Sequence, residues 1–464
     1  NDSAISQGFD ADFNLDDLSD EISGTGVLSD QAINNISTRK QQTSGIDLQW
    51  GINHRWLGFA NDFIIGINYY RGESDFESVL ELANFDPVSR LTTGLGTGSF
   101  IDSQATLIST QTQSSSLYFN NAMELRDGLT LSASARINNT KVELQDRSGE
   151  RPELNGKHDY FRINPALGLT WNLSDNVNLF TSISQSSRAP TPIELACNEG
   201  VFELAEKLAI EAGEDPQQVD LECRLPNAFL ADPPLNDVVA KSIDLGLRGS
   251  HDNTRYQLSV FHTISRDDIL FQTTGRSTGL FANVDKTLRS GLETSLMGSW
   301  QNIDWFFAYS YVDARFGSDF ISLSPNHEFA DTEGKISVER GDTIPGIPKH
   351  QLKLGLDFQL SDNLSLSLES ISYSGQTLRG DESNQLAPLS GYSVFDFSAQ
   401  YAINKKIIII AKIENIFDRQ YENFGLLGEN PGEVELPLIE DLSVPRFLGA
   451  GTPRAAFVGL RYQF

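Results

Sequence analysis

Three groups of side chains in this sequence have types and spacings that do chemistry. The acidic run at 10–21 sets Asp10, Asp12, Asn14, Asp16 and Glu21 at the separations of a calcium-binding loop. Leu15 stands where that loop needs a glycine and no helices flank the run, so it reads as a solvated acidic loop. Six histidines follow: His54, His158, His251, His262, His327 and His350. One at an outer surface would suit axial ligation of a haem. Cys197 and Cys223 form one disulfide, remain two free thiols, or serve as a metal pair. No histidine lies close enough in sequence to complete a zinc set, so the expectation is a disulfide, contributing about 3 kcal/mol for a loop of this size. No Gly-x-Ser-x-Gly, phosphate loop or His-rich metal spacing occurs. The sequence therefore predicts neither an enzyme nor a resident cofactor.

The elements that must position these groups are bounded by composition. The 464 residues carry 35 Lys and Arg against 63 Asp and Glu, a net charge of −28. Phosphate binding needs a basic face, and none is visible, which excludes nucleic acid as a partner. An acidic chain with two thiols suits an exported, oxidising location. The opening residues do not form a charged-then-apolar leader. The longest apolar run is 407–411, far short of a membrane-crossing helix. A membrane barrel remains open, because alternation hides its apolar residues.

Period-2 alternation is the dominant pattern from about residue 40 onward. Leu129, Leu131, Ala133, Ala135 and Ile137 share one face, opposite Thr130, Ser132, Ser134, Arg136 and Asn138. Ile303, Trp305, Phe307, Tyr309 and Tyr311 do the same against Asp304, Ala308 and Ser310. Tight turns at 126–128, 174–176, 251–253, 301–302, 361–363 and 404–406 alternate with longer links near 73–105, 147–156, 189–235, 273–278, 318–345, 377–389 and 421–452. Short inner turns alternating with long outer loops define an up-and-down membrane barrel, not a Greek-key sandwich. The predicted fold class is all-β: an antiparallel transmembrane barrel of about fifteen strands spanning 39–464, preceded by an acidic outer loop at 1–38. The segment 201–213 has helix-forming composition and predicts one short loop helix. An odd strand count does not close a bacterial single-chain barrel. The expectation is a barrel that begins partway round.

Six segments then become recognisable. SSRAPTPIEL (186–195) resembles the Arg-Ala-Pro segment of TonB-dependent receptors, and LRSGLETSL (288–296) is similar to their Gly-Val-Glu strand start. IPGIPKHQLKLGLDF (344–358) resembles their Pro-Gly-x-Pro segment, and LSGYSVFDFSAQY (389–401) their late Gly-Tyr strand. IENIFDRQYENFG (413–425) is similar to the Asn-Leu-Phe-Asp-x-x-Tyr signature, with Ile416 in the Leu position. GTPRAAFVGLRYQF (451–464) resembles the terminal strand with its final aromatic residue. The resemblance covers roughly 40–464, in the family's order. It implies a 22-stranded barrel in the outer membrane of a Gram-negative bacterium, filled by an N-terminal plug that an energy-transducing inner-membrane protein grips. The expectation is that this sequence holds neither the plug nor the grip segment and lacks about seven of the family's strands by count. The implied function is energy-coupled uptake of a scarce nutrient, a ferric siderophore first; cobalamin, a nickel chelate, a redox cofactor, haem or an oligosaccharide are the alternatives, with a passive porin behind them. The implied partners are outer-membrane lipid, the TonB complex through the missing region, and a small-molecule ligand.

Candidate ligand contacts follow from strand position at the outer mouth: Tyr160, Arg162, Arg188, Arg276, Phe281, Arg315 and Tyr373. Arginine and aromatic side chains there suit anionic, ring-bearing chelates. Arg188 has a competing structural reading, pairing with a carboxylate. Trp171, Trp305, Tyr256, Tyr401 and Phe464 read as interfacial girdles. Pro165 lies inside a strand, where its missing N–H predicts a local irregularity.

Overall fold

The computed structural model describes residues 2–5, 32–56, 58–86, 89, 91–94, 100–149, 154–195, 210, 235–275, 278–428 and 446–463. The strands are β1 (Asp2–Ile5), β2 (Ala32–Trp56), β3 (Phe59–Asp86), β4 (Leu91–Gly94), β5 (Phe100–Arg126), β6 (Leu129–Asp146), β7 (Gly156–Ser174), β8 (Val177–Arg188), β9 (Val238–His251), β10 (Thr254–Gly275) and β11 (Thr278–Trp300). They continue with β12 (Ile303–Phe316), β13 (Phe320–Leu323), β14 (Lys335–Val338), β15 (His350–Ser361), β16 (Leu364–Tyr373), β17 (Tyr392–Asn404), β18 (Ile407–Glu414), β19 (Glu422–Leu427), β20 (Arg446–Ala450) and β21 (Ala455–Tyr462). A short helix, α1 (Pro192–Leu195), follows β8.

Seventeen strands form a single antiparallel sheet, the wall of a partial barrel. Setting aside the short β1 and β4 leaves fifteen wall strands, as the alternation predicts. Each pairs with its sequence neighbours in the wall, and β13–β14 and β19–β20 form separate hairpins in the outer loops. Among the described residues β2 and β21 have no ladder to one another, so each leaves an edge.

All seven inner turns take two residues, from Trp56↔Phe59 to Asn404↔Ile407. Such tight hairpins need positive φ, which Gly58 (85°), Gly128 (73°), Asp252 (48°) and Gln301 (56°) adopt. The register sorts side chains into two rows. On β2 the row Ile46, Leu48, Trp50, Ile52 and Trp56 is exposed, Trp50 to 70%. On β21 Val458 is 82% exposed and Leu460 68%. Large apolar groups this bare are stable only against lipid. The opposite row is polar: Asp47, Gln49, Asn68, Tyr118 and Arg136 hydrogen-bond or stack across strands β2, β3, β5 and β6. Buried apolar clusters sit instead beneath the outer loops, such as Ile108, Val142, Leu144, Leu154, Leu195 and Leu235.

Several boundaries differ from expectation. The link expected at 73–105 is mostly strand, since β3 runs 28 residues to Asp86 and β5 starts at Phe100. At ~3.3 Å per residue β3 is ~90 Å long, about three times the hydrocarbon thickness. Its outer half lies above the bilayer, where no lipid demands an apolar row. The same holds for β2, which begins at Ala32 and pairs there with β1, inside the stretch expected as a loop. The link expected at 273–278 closes tightly, Gly275 pairing with Thr278. The strand expected to 420 ends at Glu414, where Asn415 (φ 49°) and Asp418 (φ 53°) turn the chain. Pro165 does end a ladder: β7–β8 pairing stops at Ala166↔Ser184. The acidic run at 10–21, both cysteines and Phe464 lie outside the described residues, as does the predicted helix at 201–213 except for Ile210, which is helical.

The two rows make a direct prediction. Val260 lies mid-strand on the lipid row, and Ser259 on the polar row. Val260→Arg should lower unfolding stability in lipid by ~2–4 kcal/mol, and Ser259→Arg by less than ~1 kcal/mol. Urea titration of the folded barrel, followed by heat-modifiable gel migration, measures both.

Candidate functional site

The mouth is built by strand ends that grip the outer loops. The longest loop leaves β8 at Arg188 and returns at β9. Its first turn reads Thr191-Pro192-Ile193-Glu194, a helix-start signature. Thr191 Oγ1 accepts from the Glu194 N–H (3.4 Å), and Glu194 Oε2 accepts from the Thr191 N–H (2.7 Å). Arg188 then donates twice to the same carboxylate, at 2.7 and 2.9 Å. Burial pushes the Glu194 carboxyl up, but the bonds from Arg188 and Thr191 outweigh it and hold the group below its ordinary value. Leu195 drops into the apolar cluster below.

The returning foot is held as firmly. Arg162 donates through Nε and Nη2 to the two oxygens of Asp237, both at 2.6 Å. The Tyr160 hydroxyl donates to the Leu235 carbonyl at 3.0 Å. Asn283 Oδ1 accepts from the Asn236 N–H (2.8 Å), and its Nδ2 donates back to the Asn236 carbonyl (3.2 Å). Phe281 packs against the cluster that contains Leu195 and Leu235, edge-on to Phe271 at 5.2 Å. The structure thus brings Tyr160, Arg162, Arg188 and Phe281 together, at the feet of one loop.

Tyr373 stands elsewhere on the rim. It faces the lumen in a tyrosine series, with ring centroids 5.3 Å from Tyr373 to Tyr392 and 4.2 Å from Tyr392 to Tyr421. Tyr392 and Tyr421 were missed as candidates, although both lie inside recognisable segments, the Gly-Tyr strand and the Asn-Ile-Phe-Asp turn. Arg315 does not face the lumen. It shares the row of Tyr309 and Tyr311 at the outer rim and binds Asp313 at 2.7 Å. Arg276 lies outside the described residues.

Three outer loops are stitched to one another. His327, on the loop after β12, meets Asp381, on the loop after β16, at 2.9 Å, and both side chains are fully enclosed. Because His327 Nδ1 accepts the Phe329 N–H (3.1 Å), Nε2 carries the proton and donates it to Asp381. Asp381 also accepts the N–H groups of Gln385 and Leu386. Ser383 Oγ lies 3.5 Å from the same Nε2, so that nitrogen has no free lone pair to activate the hydroxyl. The trio is a clamp, not a nucleophile. Asn384 mimics a strand pair, bonding the N–H (2.6 Å) and carbonyl (2.9 Å) of Thr343. The Arg379 backbone pairs with Gly425 and Leu427 of the third loop. Asn415 fastens that loop's base through the carbonyls of Arg419 and Thr452.

The family model described as TonB dependent receptor-like, beta-barrel matches residues 2–416. The chain belongs to this family. Its fold is similar to the siderophore receptor PiuA from Acinetobacter baumannii (TM-score 0.65, 14% identity, 92% of this chain and 56% of that one). It is also similar to the ferric yersiniabactin uptake receptor FyuA from Yersinia pestis (0.62, 14%, 93% and 55%) and to the copper transporter OprC (0.63, 14%, 93% and 57%). The chain spans just over half the length of these structures.

Two predictions follow from the grips. Arg188→Ala removes two charge-assisted bonds of ~1.5–3 kcal/mol each in context, so amide exchange across 189–195 should rise at least tenfold while the wall strands are unchanged. Glu382, beside the clamp, is buried, and burial pushes its carboxyl from 4.5 to about 7 against the opposing N–H of Gly380. The folded loop therefore holds that proton more tightly than the unfolded one. The stabilisation is complete below about 4.5 and lost as pH rises through about 7. Intrinsic-rate-corrected protection of amides 377–386 should fall at least tenfold from pH 5 to 8, and Glu382→Gln should flatten that profile.

Proposed function

We propose that this chain supplies the wall and stitched mouth of an outer-membrane receptor that captures a scarce nutrient and passes it inward with energy from a TonB complex. The supporting observation is the pairing of a lipid row with a polar inner row under outer loops held at both feet. A passive pore needs no loops clamped to one another across its rim, whereas a receptor that must present a defined surface to a dilute ligand does. The family and the similar structures are receptors and transporters, and catalysis forms no part of the proposal.

The edges of β2 and β21 bear on partners. An unpaired edge is costly in hydrocarbon, so we assign to each a further strand in the working receptor. Transport belongs to that closed barrel, with a plug domain and the TonB contact acting from below. Its location is the Gram-negative outer membrane, in contact with lipid around the apolar row.

A ferric siderophore is the first cargo we assign, since two of the similar structures are receptors of that kind by name. The tyrosine series lining the lumen suits a ring-bearing chelate. Deleting the complete gene should abolish growth on at least one ferric chelate as sole iron source, and the intact gene should restore it. Rescue on copper, cobalamin or haem alone would replace the siderophore while keeping energy-coupled uptake. Uptake that persists without TonB would make the protein a passive porin.

A further inference from the structure

Above Pro165 the wall splits on its lipid side. Pairing of β7 with β8 ends at Ala166↔Ser184, yet β7 continues on β6 to Gly156 and β8 continues on β9 to Arg188. Pro165 has no N–H to give, and Gln185 Nε2 bridges the gap instead, donating to the Ile163 carbonyl at 2.9 Å. The result is a groove of about 680 Å³ lined by Pro165, Leu167, Ile183, Ile243 and Ile264, with Lys241 at its edge.

Three cations crown this groove. Register sets Lys241 beside Ile264, and Arg266 directly opposite Lys286, all on the apolar row. Lys241 is about ten residues from the inner turn, the length of one bilayer crossing. It therefore marks the outer headgroup level. Three other cations on this outward row are neutralised: Lys141 by Asp159 (3.3 Å), Lys157 by Glu143 (2.7 Å), Arg147 by Asp75 (3.4 Å). Among the described residues Lys241, Arg266 and Lys286 meet no acid, in a chain with 63 of them. Two acids nearby are engaged elsewhere. Asp268, past the left-handed Asp267 (φ 52°), turns to Arg289 on the polar row at 3.0 Å, and Asp313 is held by Arg315 and Lys349. Like charges directly opposed across two strands are unfavourable unless an anion lies between them.

We propose that the groove and its crown form a binding site for a phosphate-bearing, acylated lipid of the outer leaflet. An acyl chain lies along Leu167, Ile183 and Ile243, and the phosphate is held by Lys241, Arg266 and Lys286. The charge complementarity is specific to an anionic headgroup, and the apolar floor to an attached chain. The site rests on the barrel reading of the apolar row and is independent of the cargo.

The test uses the native chain extracted from membranes and reconstituted in phosphatidylcholine nanodiscs, titrated with bis-phosphorylated hexa-acylated lipid A. The variant Lys241→Gln/Arg266→Gln/Lys286→Gln should bind it at least tenfold more weakly, and Lys141→Gln/Lys157→Gln as the native chain does. Ile243→Ser should weaken binding by about threefold through the floor alone. If the triple variant does not assemble, Arg266→Gln alone should show a loss of about threefold. Undiminished binding by heat-modifiable barrels of these variants overturns the lipid site. Equal affinity for the fully deacylated phosphorylated disaccharide also overturns it, leaving a free-phosphate site. Detergent-free solubility of the folded chain would instead remove the barrel reading itself.

Discussion

A backbone amide in hydrocarbon has no water to bond with, and that constraint governs this molecule. Strands between the two edges answer it by pairing with a neighbour on either side, and pairing fixes the pleat, which in turn forces a two-residue period on the side chains. Lipid then selects the outer row and water the inner one. The exposed Ile46, Leu48 and Trp50 on one face of β2, with Asp47 and Gln49 on the other, are the direct imprint. Where the ladder lapses, as beyond Pro165, a side chain must stand in for the lost bond, and Gln185 does so. The true packed interior is displaced to the mouth, where loops cover the strand ends and bury Leu154, Leu195 and Leu378 completely.

At the mouth the recognisable segments turn out to be mechanical. Arg188 and Glu194 of the Arg-Ala-Pro segment cap the first turn of a loop. Asn415 of the Asn-Ile-Phe-Asp turn uses both its amide atoms to close another. Gly346 of the Pro-Gly-x-Pro segment adopts φ 75° and donates its N–H to Thr377 on the neighbouring loop. These residues hold loops at their feet, a need shared by barrels that carry quite different ligands. Family membership is therefore legible from them, whereas ligand identity is not.

Legibility followed the same physics along the strands. Inside the bilayer the apolar row is obligatory, so the crossing parts of β6, β12, β17 and β21 could be read from alternation alone. Above it no lipid imposes that row on β3 and β5, and their outer halves resembled loops. The Thr191–Glu194 cap was readable in principle, being local. The bond from Arg162 to Asp237 spans 75 positions and that from His327 to Asp381 spans 54. Such pairs are set by which loops the topology makes adjacent, and no local pattern announces them. Arg315 shows the limit of placing residues by strand position alone: it reached the right height but lies on the outward row, beside Tyr311.

Every strand between the two edges of the wall bonds to the one before and the one after it in the chain. The contacts that matter for assembly are therefore close in sequence, so little chain entropy is spent on bringing distant segments together. Hairpins with two-residue turns can be laid down in succession, each using the previous strand as its template. In such a zipper a defect at one hairpin bears first on the strands beside it in the chain.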